Sequence, residues 1–253
     1  MRIGKRQMED NFIDITDLDQ KIYRVFSISR FKELITNKEL VLVNPKKWDD
    51  PFENFFLRAN AFDEHGDSVS LGNIARKWYG QCWTFNSESD AMWRIYSHQK
   101  DGVRVSTTLR KLFSVLWDDK DQYAGLRYFI GKVSYQPRGE IEKFMKEHSF
   151  LDMSIGGQND NFAKLLCIKR LEFLHEAEVR LLANDTEGSR GDKAGCYRVP
   201  FDYTGIFHDA CLDPRLDEKE YQGIKGEILG LGCPLPITQS ELYKVSFSPI
   251  RLS

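Results

Sequence analysis

Three short stretches carry residue types that could do chemistry together. Glu176 and Glu178 flank one alanine at the start of GluAlaGluValArgLeuLeu (176–182), which reads as a strand. A strand period of two puts both carboxylates on one face of a sheet. Like charges held that close are costly unless water, a cation or a substrate offsets the repulsion, so the pair is a candidate site. The plainer alternative is a solvated face on which Glu178 pairs with Arg180 or another cation. Arg24 lies next to Tyr23 inside the apolar segment Lys21–Ser27 (KIYRVFS), where a guanidinium must reach solvent or meet an anion such as a phosphate or carboxylate. Its plainer reading is an edge residue that snorkels outward. Trp83-Thr84-Phe85-Asn86 interleaves aromatic rings with a hydroxyl and an amide, as core residues do and as a pocket for a flat heterocycle would.

Other chemistries lack their residues. His175-Glu176 begins like a zinc-protease helix, but the fourth position after His175 is Val179, so the second histidine ligand is missing. Neither a glycine-rich phosphate loop with Lys-Ser/Thr nor a G-x-S-x-G elbow occurs. His65, His98, His148 and His208 have no ligand spacing and read as ordinary surface or core residues. No metal is expected from these patterns.

The bulk properties set the frame for these residues. The 253 residues can form one core, with 41% hydrophobic and 29% charged residues, which sets aside disorder and disulfide-scaffold classes. A net charge of −2 gives no general pull toward nucleic acid, so such a contact would need a local basic patch. The five cysteines are widely spaced and form no Cys-x-x-Cys, which fits a reducing compartment. With no apolar run behind the basic N-terminus and no stretch of about 18 apolar residues, the chain is expected to be cytoplasmic and free of membrane contact.

The elements that must position the candidates can be read in order. Residues 1–20 carry no face to bury and read as a flexible N-terminal arm; 21–253 read as a single domain. Lys21–Ser27 is a strand, Ser27 or Ser29 caps a helix with Phe31, Leu34 and Ile35 on its stripe, and Leu40–Val43 is a second strand. Asn44-Pro45 and Asp49-Asp50-Pro51 open a long loop. Strands are expected at Tyr79–Phe85, Gly102–Ser106, 126–135, 176–182, Cys196–Phe201 and Leu242–Phe247. Helices are expected at 90–98, 107–117, 140–150, 161–174 and 216–228. Strands and helices mix without βαβ spacing, which indicates an α+β class.

The chain resembles the large bacterial family catalogued as domain of unknown function 2971. The resemblance rests on Tyr23-Arg24-Val25, Trp48-Asp49-Asp50-Pro51-Phe52-Glu53, Cys82-Trp83-Thr84, Met92-Trp93-Arg94-Ile95-Tyr96 with Gly102-Val103-Arg104-Val105, and Lys169 followed by Glu176-x-Glu178-x-Arg180. It is also similar to ADP-ribosyltransferases, which carry an Arg or His on an early strand, a Ser/Thr motif on a middle strand and a glutamate on a late strand. Arg24, Thr84 and Glu178 stand in that order, with Trp83-Thr84-Phe85 in place of Ser-Thr-Ser.

The second resemblance implies a split, mixed, mainly antiparallel sheet flanked by helices, with NAD as substrate in its cleft. It implies Glu178 on the ribose, Glu176 orienting or deprotonating an acceptor, Arg24 on the pyrophosphate or adenosine ribose, and Thr84 in support. Tyr23, Trp83 or Tyr96 would stack on nicotinamide. The acceptor would be a protein or nucleic acid, and the setting a bacterial toxin or phage-defence effector with an antitoxin or inhibitor protein as partner. Two rival readings are a Mg²⁺-dependent nuclease built on Asp49, Asp50, Lys169, Glu176 and Glu178, and a non-catalytic sensor module. The sensor reading would be favoured by Arg24 and Glu178 lying more than about 15 Å apart, too far for one nucleotide cleft.

Overall fold

Alternating apolar side chains, the signal seen in KIYRVFS and in Glu39–Val43, organise most of this chain into one large sheet. The computed structural model describes residues 7–48, 50, 53, 60–62, 68–70, 75–147 and 160–245. Its strands are β1 (Phe12–Ile13), β2 (Lys21–Ser27), β3 (Glu39–Val43), β4 (Asn60–Phe62), β5 (Ser68–Ser70), β6 (Trp78–Thr84) and β7 (Gly102–Thr108). They continue as β8 (Tyr128–Lys132), β9 (Ser134–Gln136), β10 (Ile168–Arg170), β11 (Glu178–Asn184), β12 (Cys196–Pro200), β13 (Asp209–Leu212) and β14 (Ile237–Gln239). Ten of them form one sheet in the order β1-β8-β11-β6-β2-β7-β13-β14, with β3 and β12 branching from β6. Only β1–β8 and β13–β14 pair in parallel within it, so the sheet is mixed and mainly antiparallel. The expected α+β class with a split sheet is what the chain forms.

The split is a fork at β6. One edge of β6 runs along all of β11, from Thr84–Glu178 to Trp78–Asn184. Its other edge is shared: Thr84 pairs with Tyr23 of β2, and Gly80 pairs with Val43 of β3. Between these two points side chains replace the ladder. Arg24 Nη1 donates to the Cys82 carbonyl, and Gln81 Nε2 donates to the Val41 carbonyl at 3.0 Å. Gly80 lets the fork close against Trp48: a Cβ there would lie 2.8 Å from Trp48 Cζ2 and 3.1 Å from Leu182 Cδ2. Gly80→Ala is therefore expected to cost roughly 1–3 kcal/mol through overpacking, read as a lower urea midpoint. An unchanged midpoint would mean that Trp48 yields freely.

Apolar residues on both faces explain why the sheet is covered twice. Leu181 and Ile130 join one core, with Ile22, Leu40, Val105 and Phe113, while their neighbours Leu182 and Phe129 join a second with Trp78, Ile141 and Phe162. The helix Ile28–Asn37, capped by Ser27 Oγ accepting from the Arg30 N–H at 3.3 Å, seats Phe31, Leu34 and Ile35 on the first face. Helices Arg138–Glu147 and Asp160–Leu165 cover the other face through Ile141, Phe162 and Leu165. Among the described residues no helix is long and apolar enough to cross a membrane, and all five cysteines are free thiols.

Several local expectations need correcting. The stretch read as a loose arm is anchored at Met8–Ile13, where a 3-10 turn leads into β1 and the buried Asn11 amide donates to the Gly125 and Tyr128 carbonyls. The helix expected over 107–117 is helical only at Leu109–Phe113, because β7 extends through Thr108. The strand expected over 126–135 breaks into β8 and β9, which join different sheets. The helical stripe over 161–174 stops at Leu165 and gives way to β10 and the 3-10 turn Leu171–Glu176. No strand forms over 242–245, and residues 246 and 247 of that expected strand lie outside the described residues.

Candidate active site

Strand register gathers the candidates before any side chain is considered. Tyr23, Thr84 and Glu178 lie directly across from one another on β2, β6 and β11, at the point where the fork begins. Arg24 is one step further on and faces the other way, but the open fork lets it reach back to β6. Tyr23, Arg24, Trp83, Thr84, Tyr96, Glu176 and Glu178 all border one cavity, so every expected site residue arrives there. The wide separation of Arg24 and Glu178 that would favour the sensor reading is not found. The free space is about 50 Å³, room for a hydroxyl and a few waters. Arg24 also borders a larger groove of about 370 Å³, which runs between β3, β12 and the helix Ile28–Asn37.

The carboxylate pair converges, though not by strand alternation. Glu176 ends the 3-10 turn Leu171–Glu176, Ala177 adopts a left-handed conformation (φ 43°), and β11 begins only at Glu178. This kink costs strain, since a residue with a Cβ rarely adopts positive φ. It is held on both sides: Thr84 Oγ1 donates to the Glu176 carbonyl at 2.6 Å, and the Glu178 N–H donates to the Tyr135 hydroxyl at 2.8 Å. Thr84 Oγ1 also accepts from the Asn86 N–H at 3.0 Å. Thr84 thus serves as a clamp on the backbone beneath the two glutamates.

Both carboxylates are buried, each residue being 5% exposed, and their charges are met by cations. Glu178 Oε2 accepts from Arg180 Nη2 at 2.7 Å and from Lys169 Nζ at 3.4 Å. Glu176 Oε2 accepts from Lys169 Nζ at 2.5 Å. A third acid, Glu53, takes Lys169 at 2.8 Å and Arg180 at 2.9 Å through Oε1. Burial pushes the Glu178 carboxyl up, but Arg180 and Lys169 outweigh it and hold it below the ordinary carboxylate value. Burial also pushes Glu176 up, and there Lys169 offsets only part of the rise. The Cys82 thiol lies near the Glu178 carboxyl, and burial together with that negative charge keeps it protonated.

The remaining candidates divide by what they touch. Burial lowers the Arg24 pKa below the ordinary guanidinium value; its Nη1 is used by Cys82, while its buried Nε has no hydrogen-bond partner among the described residues. Trp83 borders the cavity, but its ring packs in the core near Phe26 and Phe207, and its indole N–H donates to Gln81 Oε1 at 2.9 Å. The expectation that Trp83 offers a free stacking face is corrected by that packing. Tyr23 has Arg104 over its ring at 5.4 Å, and Tyr96, 42% exposed, points its hydroxyl at Glu176 Oε1, 3.5 Å away. Tyr96 is therefore the most open aromatic face at the site.

Sequence reading undervalued Lys169, Glu53 and Arg180 as site residues; their signal was the Lys169 and Asp-Asp-Pro-Phe-Glu elements already noted. Of that turn, Asp50 pairs with Arg170 at 2.9 Å, while Asp49, Pro51 and Phe52 lie outside the described residues. Of the nuclease set, Lys169, Glu176 and Glu178 meet in one cluster, Asp50 pairs with Arg170, and Asp49 lies outside the described residues. Among the described residues no group of three His, Cys, Asp or Glu is placed to hold a metal ion.

No family profile matches this chain, the domain of unknown function 2971 included, and no curated protein matches it. The similar solved structures include three of Thermus sp. 2.9 DarT, each 9% identical to this chain. The complex with NAD⁺ has a TM-score of 0.41, with 90% of this chain and 98% of that chain covered. The complex with ADP-ribosylated single-stranded DNA has 0.40 at the same coverage, and that with carba-NAD⁺ has 0.37, covering 88% and 96%.

Proposed function

We propose that this protein breaks the nicotinamide–ribose bond of NAD and transfers ADP-ribose to a macromolecular acceptor, a protein or a nucleic acid. The observation that carries the reading is the meeting of the Arg24 guanidinium and the buried Glu176–Glu178 pair at one cavity where the sheet forks. The small cavity takes a hydroxyl of the nicotinamide ribose beside Glu178, and the rest of the dinucleotide runs past Arg24 into the larger groove. The Arg24 guanidinium, which borders both spaces, supplies the cation for the pyrophosphate. Tyr96 offers its open ring to the nicotinamide.

The chemistry follows from the charges. As the ribose C1–nitrogen bond breaks, its electron pair leaves with nicotinamide and positive charge grows on the ribose. A carboxylate kept ionised and largely dry stabilises that charge more than it stabilises the neutral sugar. The acceptor then bonds to the ribose carbon and gives up its proton to Glu176, whose raised pKa makes it a stronger base than an ordinary carboxylate. A toxin or phage-defence role, with a dedicated inhibitor protein, is the setting in which such an activity would be held in check.

The test is incubation of the purified protein with NAD and measurement of free nicotinamide. Release above the buffer control is expected; none with protein, RNA or DNA acceptors supplied would sink the reading. Binding has its own readout: NAD at 100 times its Kd should stabilise the native protein by about 2.7 kcal/mol, seen as a raised Tm. Arg24→Ala should lose most of that shift. A variant that keeps it fully would remove Arg24 from the binding role.

A further inference from the structure

We propose that Lys169 is a positioning residue: its ammonium clamps Glu176 and Glu178 side by side at the cavity, and Glu53 acts as a competing carboxylate that weakens the clamp. This inference rests on the proposed function for its meaning, although its physical core can be tested without it.

Three carboxylates and two cations share the buried cluster behind the cavity. Arg180 contacts Glu53 and Glu178 but not Glu176. Among the described residues Lys169 is thus the only cation in contact with the Glu176 carboxylate, at 2.5 Å, while it also reaches Glu53 and Glu178. The Lys169 side chain is 6% exposed, so no water shell dilutes these contacts. Its position is fixed by the fold: β10 sets Lys169 opposite Tyr135 of β9, the same tyrosine whose hydroxyl accepts from the Glu178 N–H. The Phe173 ring lies 4.6 Å from the ammonium and closes another side.

The other charged or titratable neighbours do not replace it. Arg24 and Cys82 act on Glu178 from the β2 and β6 side. Tyr96 meets Glu176 from the helix Asp90–Tyr96, and Tyr135 adds its hydroxyl from β9. Arg170, next along β10, is committed to Asp50. Removing the Lys169 charge therefore leaves Glu176 beside two other buried acids with no cation touching it. Removing Glu53 instead gives Lys169 fewer claims on it, so Glu176 is held more firmly.

Opposite displacements of one pH profile test this. Transfer of ADP-ribose from NAD to the acceptor should fall on the acid side as Glu176 becomes protonated. Lys169→Met should move that acid limb to higher pH by one unit or more, Glu53→Gln should move it to lower pH, and Lys169→Arg should leave it near the wild-type position. A merely structural role would lower activity evenly at every pH.

Carbon-13 titration of labelled glutamate carboxyls in the full chain gives the same midpoints without any turnover. Wild-type protein that releases no nicotinamide would end the functional reading, while the titration would still decide on the clamp. Should Lys169→Met fail to fold, Glu53→Gln carries the test alone. A Glu176 midpoint unmoved in whichever of these variants folds would overturn the proposal.

Discussion

Glu178→Gln is expected to cut nicotinamide release from NAD by roughly 10²–10³-fold, the scale found when one preorganised electrostatic group is removed from an active site. The amide keeps the size of the carboxyl and removes its charge, so the loss reports on charge rather than shape. The fold should tolerate it. Glu178 shares its cluster with Glu53, Glu176, Lys169 and Arg180, so neutralising it leaves two carboxylates facing two cations. NAD should still raise the Tm of the variant, because Arg24, Tyr96 and the larger groove are untouched. A fall in kcat with binding retained is the signature of an interaction realised in the transition state. A Gln variant that turns over NAD as fast as wild type would remove Glu178 from the chemistry.

Local patterns made much of this arrangement legible. Lys21–Ser27 forms the expected strand, Ser27 caps the helix that follows, and the three stretches holding Arg24, Thr84 and Glu178 fall on β2, β6 and β11. The fork was named only through a family resemblance, because strand pairing is non-local and no periodicity in β6 tells that Thr84 meets β2 while Gly80 meets β3. Glu176 and Glu178 were grouped for the wrong reason. A strand reading of 176–182 hid the left-handed Ala177, a conformation that an alanine does not advertise. Lys169 is masked by an apolar stripe, Phe162, Leu165 and Leu166, whose helical period extends in the sequence toward residue 174. Glu53 sits more than a hundred residues from its partners Lys169 and Arg180, so only the folded chain could join them.

Arg180→Met is expected to cost about 3–5 kcal/mol of stability at neutral pH, the usual price of removing one member of a buried ion-pair network. Arg180 is fully buried on β11, donates to Glu53, Glu178 and the Leu166 carbonyl, and lies 4.3 Å from the Trp48 ring. Its loss leaves three acids sharing the single charge of Lys169. The cost should depend on pH with a definite sign. Because Glu178 titrates below its unfolded value of about 4.3, the stability it contributes is present above that value and is lost as pH falls through the folded one. Glu176, raised instead, contributes with the opposite sign and is not in contact with Arg180, so it does not cancel the difference between variant and wild type. The gap between the two proteins in urea denaturation should therefore narrow as pH is lowered through the range in which Glu178 takes up its proton. Adding Glu53→Gln to Arg180→Met should recover part of the loss, since it removes one stranded carboxylate. A deficit below about 1 kcal/mol at neutral pH, the range of exposed pairs, would mean that the cluster is solvated and not the dry electrostatic floor that the site requires.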